Sequence, residues 1–265
     1  ERLRAQVACF LHECRVTKGL PSAPGQGNAR DDLASFLFEH TWDEDDTYLQ
    51  PGLTNLDAWL SNHFEETSEG YEVTNISSEA VESVALENRD LTGLIGAAVG
   101  YDVALPADEV VDLMLYGDPV AMFPGDYDAY EREFLSNEEC FRDRSCKTTE
   151  LYVSVVANYP LSITGRSNTH MQYHWVELET GWATVQRSWT RWEPDISVDW
   201  LRVIQQYYLA VTLPKQDGST RRLEAMWLQA EILNADIPDS MALNMTIDTM
   251  AKTGEQLEAF VAGEP

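Results

Sequence analysis

The chain has 265 residues, 44% of them hydrophobic, which suits one large domain with a buried core. Its 45 acidic residues outnumber 18 basic ones, giving a formal net charge of -27 and a pI near 4.3. Such a surface repels phosphate backbones, so nucleic acid is disfavoured and is not expected as a partner. The acidity itself indicates either simple solubility or attraction of cations and basic partners.

The cysteines and the absence of a membrane segment bear on location. Position 1 is Glu, and no run approaches the ~18 apolar residues of a membrane span, so we expect a soluble chain that is processed or shortened. Cys140 and Cys146 flank a short polar loop that a disulfide could close, whereas Cys9 and Cys14 would point about 140° apart on a helix. A secreted or periplasmic location is favoured, and four reduced thiols in a cytosolic protein is the alternative.

The N-terminal quarter is predicted to be helical. Helices are expected over residues 1–20, from residue 31 or 32 to about 40, and over 55–64, each with an apolar stripe. Residues 65–92 are acidic and irregular and are interpreted as a linker. The chain is therefore divided into a helical extension with its linker, residues 1–91, and a second domain, residues 92–265.

From residue 94 onward the pattern predicts mainly strands. A strand over 94–105 leads into a helix that ends near residue 116, and 117–146 is expected to hold a short helix and a loop. Turn-forming residues separate the five strands that follow, over 151–159, 171–179, 182–192, 204–213 and 222–232. The last element is a long amphipathic helix, 238–263.

Alternation along these strands sorts side chains into two faces without showing which face is inward. Both faces mix aromatic residues with isolated polar groups, which is typical of a large ligand cavity, although a sheet with one solvated face is the alternative. Gly254 lies on the apolar stripe of the last helix, where its missing side chain could leave room for a ligand. The predicted ligand-contacting residues are Tyr173, His174, Trp175, Arg187, Trp189, Tyr207, Met226, Leu243, Ile247, Met250 and Gly254.

The element order, carried by segments 101–110 and 182–189 and by the last helix, resembles the helix-grip fold of the START and Bet v 1-like superfamily over residues 92–263. The resemblance implies an α+β fold in which a curved antiparallel sheet grips the C-terminal helix around a hydrophobic cavity. It also implies binding or transport of an apolar small molecule, such as a lipid or sterol, with transient membrane contact. A polyketide-cyclase-like or hydrolytic enzyme on this scaffold is one alternative, and an acidic protein-interaction module is another.

Catalytic signatures are missing from the sequence. It has no G-x-S-x-G, Walker or H-E-x-x-H motif, so no reaction is named, an enzyme is the less favoured hypothesis, and no cofactor is expected. His170 and His174 would lie about 13 Å apart on one strand face, too far apart to bind one metal ion together. The enzyme alternative would use Tyr173, His174 and Arg187 as acid, base and anion holder, and it requires these side chains to converge.

Overall fold

A computed structural model describes residues 33–84, 89–159, 162–233 and 239–263. The helix predicted over residues 1–20, with Cys9 and Cys14, lies outside the described residues. No described helix has the length and apolar character needed to cross a membrane. The helices are α1 (Leu33–His40), α2 (Leu49–Ser68), α3 (Ser78–Glu82), α4 (Ala107–Tyr116), α5 (Pro119–Met122), α6 (Glu138–Arg142) and α7 (Asp239–Ala262).

The strands form one nine-stranded antiparallel sheet in the order β1-β2-β9-β8-β6-β5-β4-β3, with β7 paired to β5. Their bounds are β1 (Tyr71–Val73), β2 (Ile95–Val103), β3 (Tyr127–Ser136), β4 (Thr148–Tyr159), β5 (Ile163–Leu178), β6 (Gly181–Thr190), β7 (Asp195–Ile196), β8 (Leu201–Pro214) and β9 (Thr220–Ile232). With α7 against one face and α1 to α3 present, this is the predicted α+β helix-grip arrangement.

Helices cover both faces of the sheet. We call the side that α7 covers the grip face, because Ile247 and Met250 of α7 pack there against Val99 of β2. The opposite side, the cap face, packs against the N-terminal helices, where Trp227 of β9 and Leu37 of α1 share one apolar cluster. Alternation along each strand therefore supplies two cores, one on each side of the sheet.

Helix α7 approaches β2 closely at Gly254. A Cβ atom at this position would lie 2.9 Å from the ring of Tyr101, so the absence of a side chain admits that ring. The expectation that Gly254 leaves room for a ligand is therefore wrong, because Tyr101 occupies that space. Buried Ile247, Met250 and Leu257 complete the contact stripe of the helix.

The five predicted strands, the strand and helix before them, and the terminal helix are all present. The disulfide between Cys140 and Cys146 is confirmed. Two segments differ from expectation. Residues 127–136 form edge strand β3 instead of a loop, and residues 65–92, interpreted as a linker, contain the end of α2, β1 and α3. Because β1 pairs with β2, this segment belongs to the sheet; the division near residue 91 remains a prediction.

Candidate functional site

Three side chains in the middle of the grip face are incompletely buried. Met226, Tyr208, Ser188 and Met171 lie directly opposite one another across β9, β8, β6 and β5. Met226, Tyr208 and Met171 are only half-buried, although they lie on a covered face away from the sheet edges. Burial also raises the pKa of Tyr208 well above its ordinary value, so its phenol is removed from bulk water. We call the space above these four side chains the interior cleft.

Further tyrosines extend the wall of the cleft toward β3. Burial raises the pKa values of Tyr127 and Tyr130, on the strand that forms one sheet edge. Arg132 lies 4.6 Å from the ring centre of Tyr130 and donates hydrogen bonds to the carbonyls of Gly117 and Met114. These bonds tie β3 to the end of α4, so the edge of the sheet and the helix close one side of the cleft. The phenols remain uncharged at neutral pH because desolvation disfavours the phenolate.

A buried polar cluster lies beside the cleft. Tyr101 donates to Glu224 Oε1 at 2.5 Å, and Arg222 donates to the same oxygen at 3.1 Å and to the Tyr101 hydroxyl at 3.1 Å. Arg222 also donates to Thr212 at 2.9 Å. Sequence reasoning missed this cluster. The available signal was Arg222-x-Glu224, two opposite charges two residues apart that must share one face of a strand.

Part of the predicted site lies on the grip side. Tyr173, Trp175 and Met226 of the sheet point there, and Leu243, Ile247, Met250 and Gly254 of α7 face the sheet. Trp175 is covered by α6: its indole stacks on Phe141 at 5.5 Å and its Nε1 donates to the Phe141 carbonyl at 3.1 Å. The structure therefore brings Tyr173 and Met226 to the cleft, with the residues of α7 alongside.

The other four predicted residues, His174, Arg187, Trp189 and Tyr207, belong to the cap face. Arg187 donates to the carbonyls of Phe38 and Glu39 at 2.8 and 3.1 Å, so it fastens α1 to the sheet. The two ring nitrogens of His174 lie 2.9 Å from the Thr41 carbonyl and 2.9 Å from Asp46 Oδ1. The structure does not bring these residues to the cleft, because strand alternation turns them away from it.

The arrangement required by the enzyme alternative is absent. Tyr173 points into the grip face, whereas His174 and Arg187 point into the cap face and bond to the N-terminal segments. The acid, base and anion holder therefore lie on opposite sides of the sheet and cannot act on one substrate atom. His170, also on the cap side, packs edge-on against Tyr152 at 3.8 Å between ring centres.

No family model matches the chain, and no curated protein matches it. Solved structures do. The STAR-related lipid transfer protein of Xanthomonas axonopodis is 13% identical with a TM-score of 0.42, over 66% of this chain and 96% of that one. A START superfamily protein of Mycobacterium smegmatis is 11% identical with a TM-score of 0.44, over 63% and 97%. Human STARD10 is 10% identical with a TM-score of 0.38, over 71% and 82%.

These likenesses concern the fold alone. The element order and sheet path described above have the helix-grip form that the sequence predicted, an antiparallel sheet with the C-terminal helix on one face.

Proposed function

We propose that this chain binds an apolar small molecule, such as a lipid or sterol, in the interior cleft between the sheet and α7. One contrast carries the proposal. On β8 and β9, the cap-face residues Tyr207 and Trp227 are completely buried, whereas their grip-face neighbours Tyr208 and Met226 are half-buried. Native interiors are close-packed, so large side chains with free surface beneath a covering helix indicate space kept for a ligand.

The residues around the cleft suit a mostly apolar and uncharged ligand. Met171, Met226 and Leu243 offer apolar surface, and thioether side chains adapt to irregular shapes. Tyr173 offers a neutral hydroxyl group, whose pKa is raised by burial. Arg222 and Glu224 bond to each other, so no unpaired charge of this cluster is left for an ionic ligand.

Native mass spectrometry tests the proposal directly. The full chain, purified without organic solvent, should retain an apolar molecule that is released on denaturation. Ser188→Trp would place an indole in the cleft, and we expect a folded protein that has lost this molecule. Ser154→Trp, on the exposed side of β4, is the matched control and should keep it. An unfolded Ser188→Trp together with a ligand-free wild type would show that the grip face is solidly packed and would overturn the proposal.

An oxidising location, secreted or periplasmic, is proposed from the disulfide that joins Cys140 and Cys146. Alkylation of free thiols in freshly lysed source cells should leave both cysteines unmodified. Modification of both would instead favour a reducing compartment.

Transient membrane contact is proposed at the end of the sheet where α7 begins. Trp192 at the end of β6, Leu233 after β9 and Met241 in the first turn of α7 are 66%, 49% and 55% exposed. Exposed tryptophan and aliphatic side chains suit the interface of a bilayer. Because the chain is strongly acidic, zwitterionic vesicles are the suitable probe, and Trp192→Ala should reduce cosedimentation with them. Equal cosedimentation of both proteins would exclude this end as the contact.

A further inference from the structure

Gln186 presents an unsatisfied acceptor on the grip face. Its side chain is almost fully buried, at 5% exposure, and its Oε1 has no hydrogen-bond partner in the described part of the chain. The amide nitrogen reaches only the sulfur of Met171, at 3.7 Å. Buried acceptors without a donor are rare in native proteins because their desolvation is not compensated. An acceptor of this kind beside the cleft indicates a donor supplied by another molecule.

Tyr173 lies directly opposite Gln186 on the neighbouring strand. Directly opposed residues have Cβ atoms about 5 Å apart, so their side chains flank a common point. Burial raises the pKa of Tyr173 above its ordinary value, so its phenol is a neutral hydrogen-bond donor. A neutral donor and a neutral acceptor thus stand side by side, one on β5 and one on β6.

The charged cluster does not offer an equivalent contact. Arg222 already donates to Tyr101, Thr212 and Glu224, and Tyr101 donates to Glu224. The unsatisfied acceptor of Gln186, in contrast, lies on the β6 part of the grip face.

We propose that Tyr173 and Gln186 together hold a hydroxyl group of the ligand, which donates to Gln186 Oε1 and accepts from the Tyr173 hydroxyl. The ligand class is then a neutral alcohol or phenol on an apolar body. A carboxylate is excluded, because it has no proton to donate to Gln186 Oε1. The inference rests on the proposed function, since it assigns the polar contact within the same cleft.

A pair of probes separates the hydroxyl contact from apolar binding. 2-Naphthalenemethanol and 2-methylnaphthalene share a ring system and differ by one hydroxyl. In calorimetric titration, the wild type should bind the alcohol at least tenfold more tightly than the hydrocarbon. Tyr173→Phe and Gln186→Met should each remove most of this preference and leave binding of the hydrocarbon within about twofold. Thr184→Val, on the same strand and face as Gln186, is the control and should keep the preference.

Ligand-free stability provides an independent readout. If Gln186 serves the ligand, Gln186→Met removes an unsatisfied buried acceptor and should raise Tm by about 2–4 °C, as about 1 kcal/mol does in a domain of this size. A lowered Tm would show that Gln186 has a structural partner and would overturn the inference. Equal binding of both probes by the wild type would overturn it as well, while leaving the proposed function intact. Failure of the wild type to bind either probe would count against both.

Discussion

Two adjacent residues of β6, Arg187 on the cap face and Gln186 on the grip face, differ in how their buried polar groups are satisfied. On the cap face, Arg187 donates to Phe38 and Glu39 carbonyls and to the Ser83 hydroxyl, and Trp227 Nε1 donates to the Thr74 carbonyl at 2.8 Å. On the grip face, one residue away from Arg187 along β6, Gln186 Oε1 has no donor among the described residues. Backbone carbonyls of the N-terminal segments thus satisfy Arg187 and Trp227 on the cap face.

The contrast separates a closely packed face from the face that we propose binds a ligand. Residues 207 and 208 are neighbours on β8, yet Tyr207 is completely buried and donates to Gln205, whereas Tyr208 is half-buried in the cleft. Intrinsic properties cannot explain the difference, because both residues are tyrosines on one strand. The covering elements explain it: the cap helices fit their face closely, and α7 with α4 leaves space.

The largest expected loss of stability comes from a substitution on the cap face. Arg187→Met should destabilise the protein by about 3–5 kcal/mol, because it removes the buried donor that bonds to the Phe38 and Glu39 carbonyls and fastens α1 to the sheet. Gln186→Met changes the adjacent residue on the opposite face. It is the matched control and should cause no loss of stability. Urea unfolding of the two variants measures the difference. Similar losses in both would mean that the two faces are equally well satisfied.

Removal of the disulfide, which lies on the grip side, should cause the next largest loss of stability. Joint replacement of Cys140 and Cys146 by Ser should cost about 2–3 kcal/mol, as expected for a short closed loop. The bridge holds α6, whose Phe141 stacks on Trp175, so near-ultraviolet dichroism of that tryptophan should weaken as well. Unchanged stability would show that α6 is held by packing alone.

The strand and helix order could be predicted from the sequence because alternation and apolar stripes are local signals. Strand β3 was missed because Tyr127–Ser136 alternates half-buried and exposed residues along a sheet edge, which leaves little apolar signal. Residues 71–73 were missed for another reason: a three-residue strand is defined by its partner β2, and no local pattern reports a distant partner.

The candidate site was only partly predictable. Alternation correctly separated Tyr173 from His174 and Gln186 from Arg187, but it could not show which set faced α7, since both faces are covered by helices. Arg187 was predicted to contact the ligand. Its role as an anchor for α1 depends instead on two carbonyls that lie 149 and 148 positions earlier in the chain. Gln186, in contrast, has no sequence signal. Only the three-dimensional structure shows that its side-chain oxygen has no hydrogen-bond donor among the described residues.

Gly254→Ala tests whether the space under α7 is filled by protein. The new Cβ would lie 2.9 Å from the Tyr101 ring, and overpacking of this kind costs about 1–3 kcal/mol, partly offset by about 1 kcal/mol of improved helix propensity. We expect a net loss of roughly 1 kcal/mol in thermal or urea unfolding. Glu255→Ala, on the exposed side, should change stability by less than about 0.5 kcal/mol. If Gly254→Ala were instead stabilising, we would conclude that the space under α7 is open, as the sequence suggested.

The smallest effect is a pH dependence that comes from two neighbouring tyrosines of β8. Burial raises the pKa of Tyr207 to about 12 and that of Tyr208 well above its ordinary value of 10.0. A phenol with a raised pKa in the folded state contributes stability that is fully present below the unfolded pKa near 10 and is lost as the pH rises above it. Tyr208→Phe should therefore flatten the alkaline loss of stability between about pH 10 and 11, measured by urea midpoints. Tyr207→Phe should flatten it as well, and each variant should also cost stability at pH 7, because the Glu224 carboxylate and Gln205 Oε1 each lose a phenol donor. An alkaline loss that stayed as steep in Tyr208→Phe as in the wild type would show that the Tyr208 phenol is not held away from water.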